Sequence, residues 1–409
     1  MTNYNKPGGP VPRVAFFTDS FHEANGVALT SRQFAAFAKS RFHPFFSVHA
    51  GERTAHWKRG NFETYEIANS RWLLNLEHDL AFDLAFARHR KALRAALRAF
   101  QPDLIHVTGP GHLGMLGALL AHDLKVPLAA SWHTNVHEFG ARRLKSAIPG
   151  LPAGIVDAAE RVALDLALRF YKLAKVLFAP NPELIAMLEQ KTGRPVHLMQ
   201  RGIDVDHFSP AHRPEGVRPF TIGYVGRLSA EKNVRMLAEM DALLRQSGIT
   251  GYQFLIVGEG SERAWLRANI PGAILPGLQR GNELAQAYAS MDAFVFPSET
   301  DTFGNVILEA SASGVPCVVS AGGGPKYLVE PGATGFVARN SSEFSAAVAG
   351  LLRDPQLRAR MGAAARERAM GRQWSAVFDR VYREYGRAFE DGTLPAPPPH
   401  KTFLTLPVS

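Results

Sequence analysis

AFVFPSETDTFGNVILEASASGVPCVVS, residues 293–320, decides the fold class. Four apolar residues, 293–296, run into Pro297, and a polar loop follows. Gly304 then precedes a helical stretch of roughly 305–313 that Gly314 ends. A second apolar run, CVVS, occupies 317–320. Neither run alternates with polar residues, so each reads as a strand buried on both faces. A strand, a helix and a second strand in this order make a parallel unit, which needs helices to cover the sheet.

The same pattern extends in both directions. TIGYV (221–225) and FLIV (254–257) are further strands of the second half. VAFF (14–17), LIHV (104–107), LAASW (128–132) and VLFA (176–179) are strands of the first. Helical stretches such as 283–291 separate them, so the chain is α/β with parallel sheets. The alternation pauses at RGIDVDHFSPAHRPEGVRP (201–219), where Pro and Gly are dense. This divides the chain into domains at 1–205 and 206–373, each large enough for a doubly wound sheet. Such a pair faces across a cleft that receives the strand ends and the ligand. A last helical stretch, 374–390, precedes a Pro-rich tail, 391–409.

Composition narrows the function. Of 409 residues, 46% are hydrophobic and 20% charged, which is globular and excludes disorder or a disulfide scaffold. One cysteine, Cys317, forms no internal disulfide, and a reducing compartment is expected. The longest apolar run, 113–121, is too short to span a bilayer and reads as a buried helix. The first residues, MTNYNKPGGPVPR, have no apolar region of signal-peptide length. The net charge of +9 is unevenly distributed: residues 1–200 hold 24 basic and 16 acidic residues, whereas 201–409 hold 22 and 21. An anionic partner is therefore expected on the first half.

Four stretches carry chemistry. In 297–320 the amides around Phe303–Asn305 sit at a helix N-terminus, which suits an anion. Asp301 lies just before that helix and Glu309 about one turn inside it. Carboxylates beside free amides suit a polyhydroxylated ligand that also carries phosphate, although a bare Asp-x7-Glu spacing is more often two solvated acids. In GYVGRLSAEKN (223–233), Arg227 and Lys232 follow a strand; they would clamp a diphosphate and stabilise its departure, or simply occupy a solvated loop. In TDSFHEANGVAL (18–29), Asn25-Gly26 opens a helix, and Gly26 admits close backbone approach. In SWHTNVHEFGARR (131–143), His133 ends a strand at the ligand-facing edge.

Taken in order, NGV, HTN, GRLSAEKN and the Asp-x7-Glu segment resemble family 4 of the retaining glycosyltransferases over about residues 13–390. The resemblance implies a GT-B fold of two Rossmann-like domains, a nucleotide-diphosphate sugar as donor substrate, and no metal or other cofactor. By position it implies that Arg227 and Lys232 bind the diphosphate. It assigns Asp301 and the amides of Phe303, Gly304 and Asn305 to the donor sugar and distal phosphate. Glu309 would take the ribose hydroxyls, Gly26 would lie near the diphosphate, and His133 beside the transferred sugar. It also implies that helix 374–390 returns to the first domain. Two features depart from the pattern: Asp301 stands where the family usually has Glu, and Lys326 in GGGPKYL (322–328) stands where many relatives carry an acid. That glycine-rich loop is given no role.

Competing readings weigh less. Asp204-Val205-Asp206 has metal-binding spacing but lies in the linker. His133 and His137 have the spacing of a helical zinc pair without a third ligand nearby. No stacking platform or helix-turn-helix accompanies the basic residues, which excludes nucleic acid as the partner. HRKALRAALRAF (89–100) is a basic amphipathic stretch that either covers the core or lies on an anionic membrane. The charge excess, and similarity to members acting on phosphatidylinositol, diacylglycerol and sulfoquinovosyl lipids, favour the membrane. Arg142, Arg143 and Lys145 are candidates to face the headgroup. The expected activity is hexosyl transfer to a lipid or lipid-linked acceptor by a cytoplasmic protein, peripheral at the inner face of the plasma membrane. A soluble acceptor and a nucleotide-sugar epimerase of the same fold are the alternatives. Donor base, sugar, acceptor, linkage and oligomeric state are not fixed by these motifs.

Overall fold

The computed structural model describes residues 11–23, 25–77, 80–133, 153–216 and 218–395. His137, Arg142, Arg143, Lys145 and the tail beyond residue 395 lie outside them. The chain divides into two compact units, Met1–Met199 with Phe378–Ser409, and Gln200–Val377.

The first unit is built on an eight-stranded sheet of order β10-β9-β8-β7-β1-β2-β4-β3. Its strands are β1 (Val14–Thr18), β2 (Phe45–Gly51), β3 (Ala55–Arg59), β4 (Phe62–Ala68), β7 (Leu104–Val107), β8 (Leu128–Ser131), β9 (Val176–Ala179) and β10 (Val196–Leu198). A separate antiparallel hairpin joins β5 (Leu73–Glu77) to β6 (Leu80–Asp83). All pairings in the large sheet are parallel except β3 with β4. The apolar runs of the sequence are the central strands; β1, β7, β8 and β9 are buried throughout. Helices α1 (Gly26–Ser40), α2 (Arg90–Phe100), α3 (His112–Leu124), α4 (Ala153–Tyr171) and α5 (Pro182–Thr192) complete the crossovers.

The second unit has a six-stranded, wholly parallel sheet of order β13-β12-β11-β14-β15-β16. The order of elements is β11 (Phe220–Val225), α6 (Met236–Gln246), β12 (Tyr252–Val257), α7 (Arg263–Asn269), β13 (Ile274–Gly277), α8 (Gly281–Ala289), β14 (Ala293–Phe296), α9 (Asn305–Ala312), β15 (Cys317–Ser320), β16 (Gly335–Ala338), α10 (Ser341–Arg353) and α11 (Pro355–Met370). Numbered within the unit, the strand order is 3-2-1-4-5-6, the doubly wound arrangement. The unit that opened the sequence reading is β14–α9–β15, with β14 and β15 paired in parallel.

The last helix, α12 (Trp374–Glu390), contributes Phe378, Val381, Tyr382 and Tyr385 to the interior. Phe378 stacks on Phe34 of α1 with centroids 4.5 Å apart. The C-terminal segment thereby covers the sheet of the first unit.

Candidate functional site

In the second unit the winding direction reverses between β11 and β14. Loops leaving the C-terminal ends of those two strands diverge, which opens a crevice there. Both charged motifs of the second half sit on these loops. Arg227 and Lys232 follow β11, and Asp301 follows β14. The structure joins them: Lys232 Nζ donates to both carboxylate oxygens of Asp301, at 3.0 Å each. Thr300 Oγ1 donates to Glu231 Oε1 at 3.3 Å, a second tie between the loops.

The β14–α9 loop is held open by glycine. Gly304 has φ +94°, a conformation that disfavours a side chain, and a Cβ there would lie 3.2 Å from Pro325 Cγ. α9 begins at Asn305 with no side-chain cap; the Ile307 amide turns back onto the Gly304 carbonyl at 3.1 Å, and the amides that precede it stand at an uncapped helix N-terminus, which suits an anion. The glycine-rich loop proves to be the floor beneath Asp301. A Cβ on Gly324 would stand 2.0 Å from the Thr302 carbonyl oxygen. The Gly324 amide donates to the Asp301 carbonyl at 2.7 Å.

A third cation joins the two expected ones. Arg201 Nη1 donates to Asn305 Oδ1 at 3.2 Å, and its guanidinium lies 5.9 Å from the Phe303 ring. Burial lowers its pKa to about 10, opposed by the Asp301 charge, so it remains cationic at neutral pH. The sequence reading left Arg201 in the linker. Its only signal was the Arg-Gly pair that ends the first half. Phe303 is buried, and Arg227 is fixed at the backbone, where its carbonyl accepts from Tyr224 Oη at 3.0 Å. Glu309 accepts from Tyr288 Oη of α8 at 2.6 Å. Burial pushes the Glu309 carboxyl pKa up, and the Tyr288 hydrogen bond partly opposes the shift.

In the first unit, the order reverses between β1 and β7. Asn25 caps α1 by accepting from the Ala28 amide at 2.9 Å, which leaves Gly26 as the first helical residue. The carboxylate of Asp19, in the same loop, lies 3.0 Å from His112 Nδ1 and accepts from the Leu113 amide at 2.7 Å. His133 is buried just beyond β8. Its Nε2 lies 2.7 Å from Ser131 Oγ, which lies 3.0 Å from His106 Nε2. His106 Nδ1 in turn bonds Tyr385 Oη of α12. Burial drives the His106 pKa down to about 3, so the ring is neutral. Sequence singles out His133 and carries no signal for the chain of Ser131, His106 and Tyr385 behind it.

Residues 25–207 match the model of Glycosyltransferase Family 4, and residues 219–354 match that of glycosyl transferases group 1. A GDP-mannose-dependent alpha-mannosyltransferase of Mycobacterium tuberculosis is 36% identical over 301 residues, covering 71% of this chain and 74% of the relative. The chain belongs to glycosyltransferase family 4. A sulfoquinovosyl transferase of Arabidopsis thaliana is 31% identical across 70% of this chain and 56% of its own length. Among solved structures, Anabaena HepE in complex with UDP superposes with a TM-score of 0.66 at 18% identity, covering 92% of this chain and all of that one. The fold is GT-B, and the glycosyltransferase takes its sugar from a nucleotide sugar.

For two other features of this glycosyltransferase the structure supplies the local, structural role that the sequence allowed. Asp204 Oδ1 accepts from the amides of Asp206 and His207, at 3.1 and 3.0 Å, so it serves a local turn. Helix α2 buries Leu93, Leu97 and Phe100 in the core of the first unit, and Arg90 forks onto Asp123 at 2.8 and 2.6 Å. Its apolar face is occupied by protein, so the amphipathic pattern of 89–100 records core packing. One donor trio went unseen in the sequence: His22, His49 and Glu66 bring ligand-type atoms within 4.8 Å of one another, the only such group among the described residues. His49 and Glu66 are register partners on β2 and β4. No helix among the described residues is long and apolar enough to cross a membrane.

Proposed function

We propose that this glycosyltransferase moves mannose from GDP-mannose, with retention and without metal, to a lipid or lipid-linked acceptor at a membrane surface. Support for the donor comes from the mycobacterial relative, and support for a lipid acceptor from the plant sulfoquinovosyl transferase. The observation that carries the reading is the Lys232–Asp301 pair at the β11/β14 reversal, beside Arg201, Arg227 and the N-terminus of α9. Three cations and a row of amides stabilise the charge that develops on a departing diphosphate. No covalent nucleophile is assigned.

In this reading Arg227 and Lys232 hold the diphosphate, the amides of Phe303, Gly304 and Asn305 hold the distal phosphate, and Asp301 accepts from the hydroxyls of the sugar. Glu309, oriented by Tyr288, accepts from the ribose hydroxyls. Gly26 and His133 are the assigned contacts of the first unit, and the protein works peripherally at the cytoplasmic face. The test is a thermal-shift screen of nucleotide-diphosphate sugars, followed by product analysis with lipid and soluble acceptors. Selective stabilisation by GDP-mannose and a new mannolipid are expected. Sugar transfer only to soluble acceptors, or rearrangement of the donor alone, would reject the lipid reading.

A further inference from the structure

The lipid-acceptor reading leaves open which surface meets the bilayer, and α2, the helix its sequence suggests, has no apolar face to offer. The first unit exposes one elsewhere. On α4, Ile155, Val162 and Leu166 are 52%, 61% and 60% exposed. Their spacing places them within about 40° of one another around the helix, a stripe about 16 Å long. Leu173, just past the helix end, is 60% exposed. It lines a groove of about 630 Å³ with Phe170 and with Met115 and Leu119 of α3. Met115 and Leu119 are themselves exposed. Large apolar side chains grouped this way on a surface mark a contact with something apolar.

Charge identifies the occupant. Lys125 and Lys175 line the groove, and Lys172 is exposed next to Leu173. No acidic side chain lines the groove among the described residues. Asp165, on the flank of the stripe, is paired with Arg169 at 2.9 Å. A two-fold pairing of copies through this face would set lysine rim against lysine rim. An anionic bilayer satisfies both features, since its phosphates take the ammonium groups while the leucines enter the acyl boundary.

We propose that the α3–α4 face, centred on Leu166, Leu173 and the Met115–Leu119 groove, is the membrane-docking surface of this glycosyltransferase. The proposal rests on the lipid-acceptor reading and assigns it a place. It is tested by co-sedimenting the full chain with equimolar phosphatidylglycerol–phosphatidylcholine vesicles and with pure phosphatidylcholine. Wild-type protein binds the anionic vesicles and is released by salt. Leu166→Glu and Leu173→Glu, both at exposed positions, weaken binding by about tenfold or more through lost apolar insertion. Lys172→Ala with Lys175→Ala costs about fivefold per charge. Arg98→Ala on α2 stays within about twofold, and an unchanged melting temperature verifies folding in each case. Wild-type protein that ignores anionic vesicles would sink the lipid-acceptor reading itself. Binding that survives both glutamates would overturn this surface while leaving that reading intact. A concentration-dependent dimer lost in Leu166→Glu, with vesicle binding unchanged, would overturn the bilayer in favour of a second copy.

Discussion

Lys232 and Asp301 grip each other, the ammonium donating to both carboxylate oxygens at 3.0 Å. Side-chain exposures of 17% and 25% leave the pair partly dry, so neither charge is fully screened by water. A diphosphate arriving at Lys232 competes with Asp301 for the same ammonium. The two substitutions therefore act in opposite directions on a ligand that lacks the sugar. Lys232→Ala weakens GDP binding, whereas Asp301→Ala leaves it equal or tighter because the competing carboxylate is gone. Both lower transfer, Lys232→Ala by about a hundredfold or more. Titration calorimetry with GDP separates them, and equal losses of GDP affinity in both variants would reject the divided roles.

The Asp301 side chain, one methylene shorter than the family's usual glutamate, reaches Lys232 from a loop braced by Gly324. Neither that brace nor Arg201 was legible in the sequence. The brace depends on backbone approach between loops more than twenty residues apart, and Gly-Gly-Gly alone does not say what it lies against. Arg201 is separated in sequence from its partner Asn305 by four of the six strands of the second unit. By contrast β14–α9–β15 was readable, because its periodicity, Pro297, Gly304 and Gly314 are all local signals. The stretch 89–100 allowed two readings for a related reason. An amphipathic pattern records that one face is apolar, not whether protein or lipid covers it.

Gly304 and Gly324 give a backbone test of the donor loop. Gly304→Ala places a Cβ at φ +94° and against Pro325, at a cost of about 1–2 kcal/mol. Gly324→Ala meets the Thr302 carbonyl at 2.0 Å and forces the Asp301 loop to move. Donor affinity should fall more in Gly324→Ala than in Gly332→Ala. Gly332 also has a positive φ, and its Cβ would meet nothing within 4 Å. Equal donor affinities in those two variants would show that the loop position is immaterial.

Tyr288 tunes Glu309. Burial raises the carboxyl pKa and the Tyr288 hydroxyl restrains that rise. Tyr288→Phe removes the restraint, so Glu309 protonates at higher pH. If Glu309 must be ionised to accept from ribose hydroxyls, the acid limb of kcat/KM for the donor moves to higher pH. Near neutral pH the donor KM rises about fivefold, the worth of one hydrogen bond. An acid limb that does not move would separate Tyr288 from donor binding.

The trio of His22, His49 and Glu66 makes metal independence a question with a direct answer. Transfer by protein dialysed against chelator should equal that of untreated protein. Transfer restored by added zinc after chelation, and abolished in His49→Ala, would instead make the trio a metal centre that the reaction requires.

The chain His133–Ser131–His106–Tyr385 gives the first unit a pH signature. His106 is fully buried, and desolvation brings its pKa to about 3, below the ordinary value of 6.5. Above that ordinary value the ring is neutral in folded and unfolded chains alike, and the whole of its contribution to stability is present. As pH falls below about 6.5 the unfolded chain takes up a proton that the folded chain refuses. Stability then falls by up to about 1.4 kcal/mol per pH unit, until about pH 3. His106→Gln keeps hydrogen-bonding groups and removes the titration, so urea midpoints between pH 7 and pH 4 decline less steeply than in wild type. Other buried groups, His49 among them, titrate in both proteins, so the difference between the two curves reports His106. Tyr385→Phe leaves the wild-type slope in place but lowers stability by about 1–3 kcal/mol at every pH, because a buried ring nitrogen loses its partner. Parallel curves for wild type and His106→Gln would mean that this ring is protonated in the folded protein and that the buried chain is wired differently.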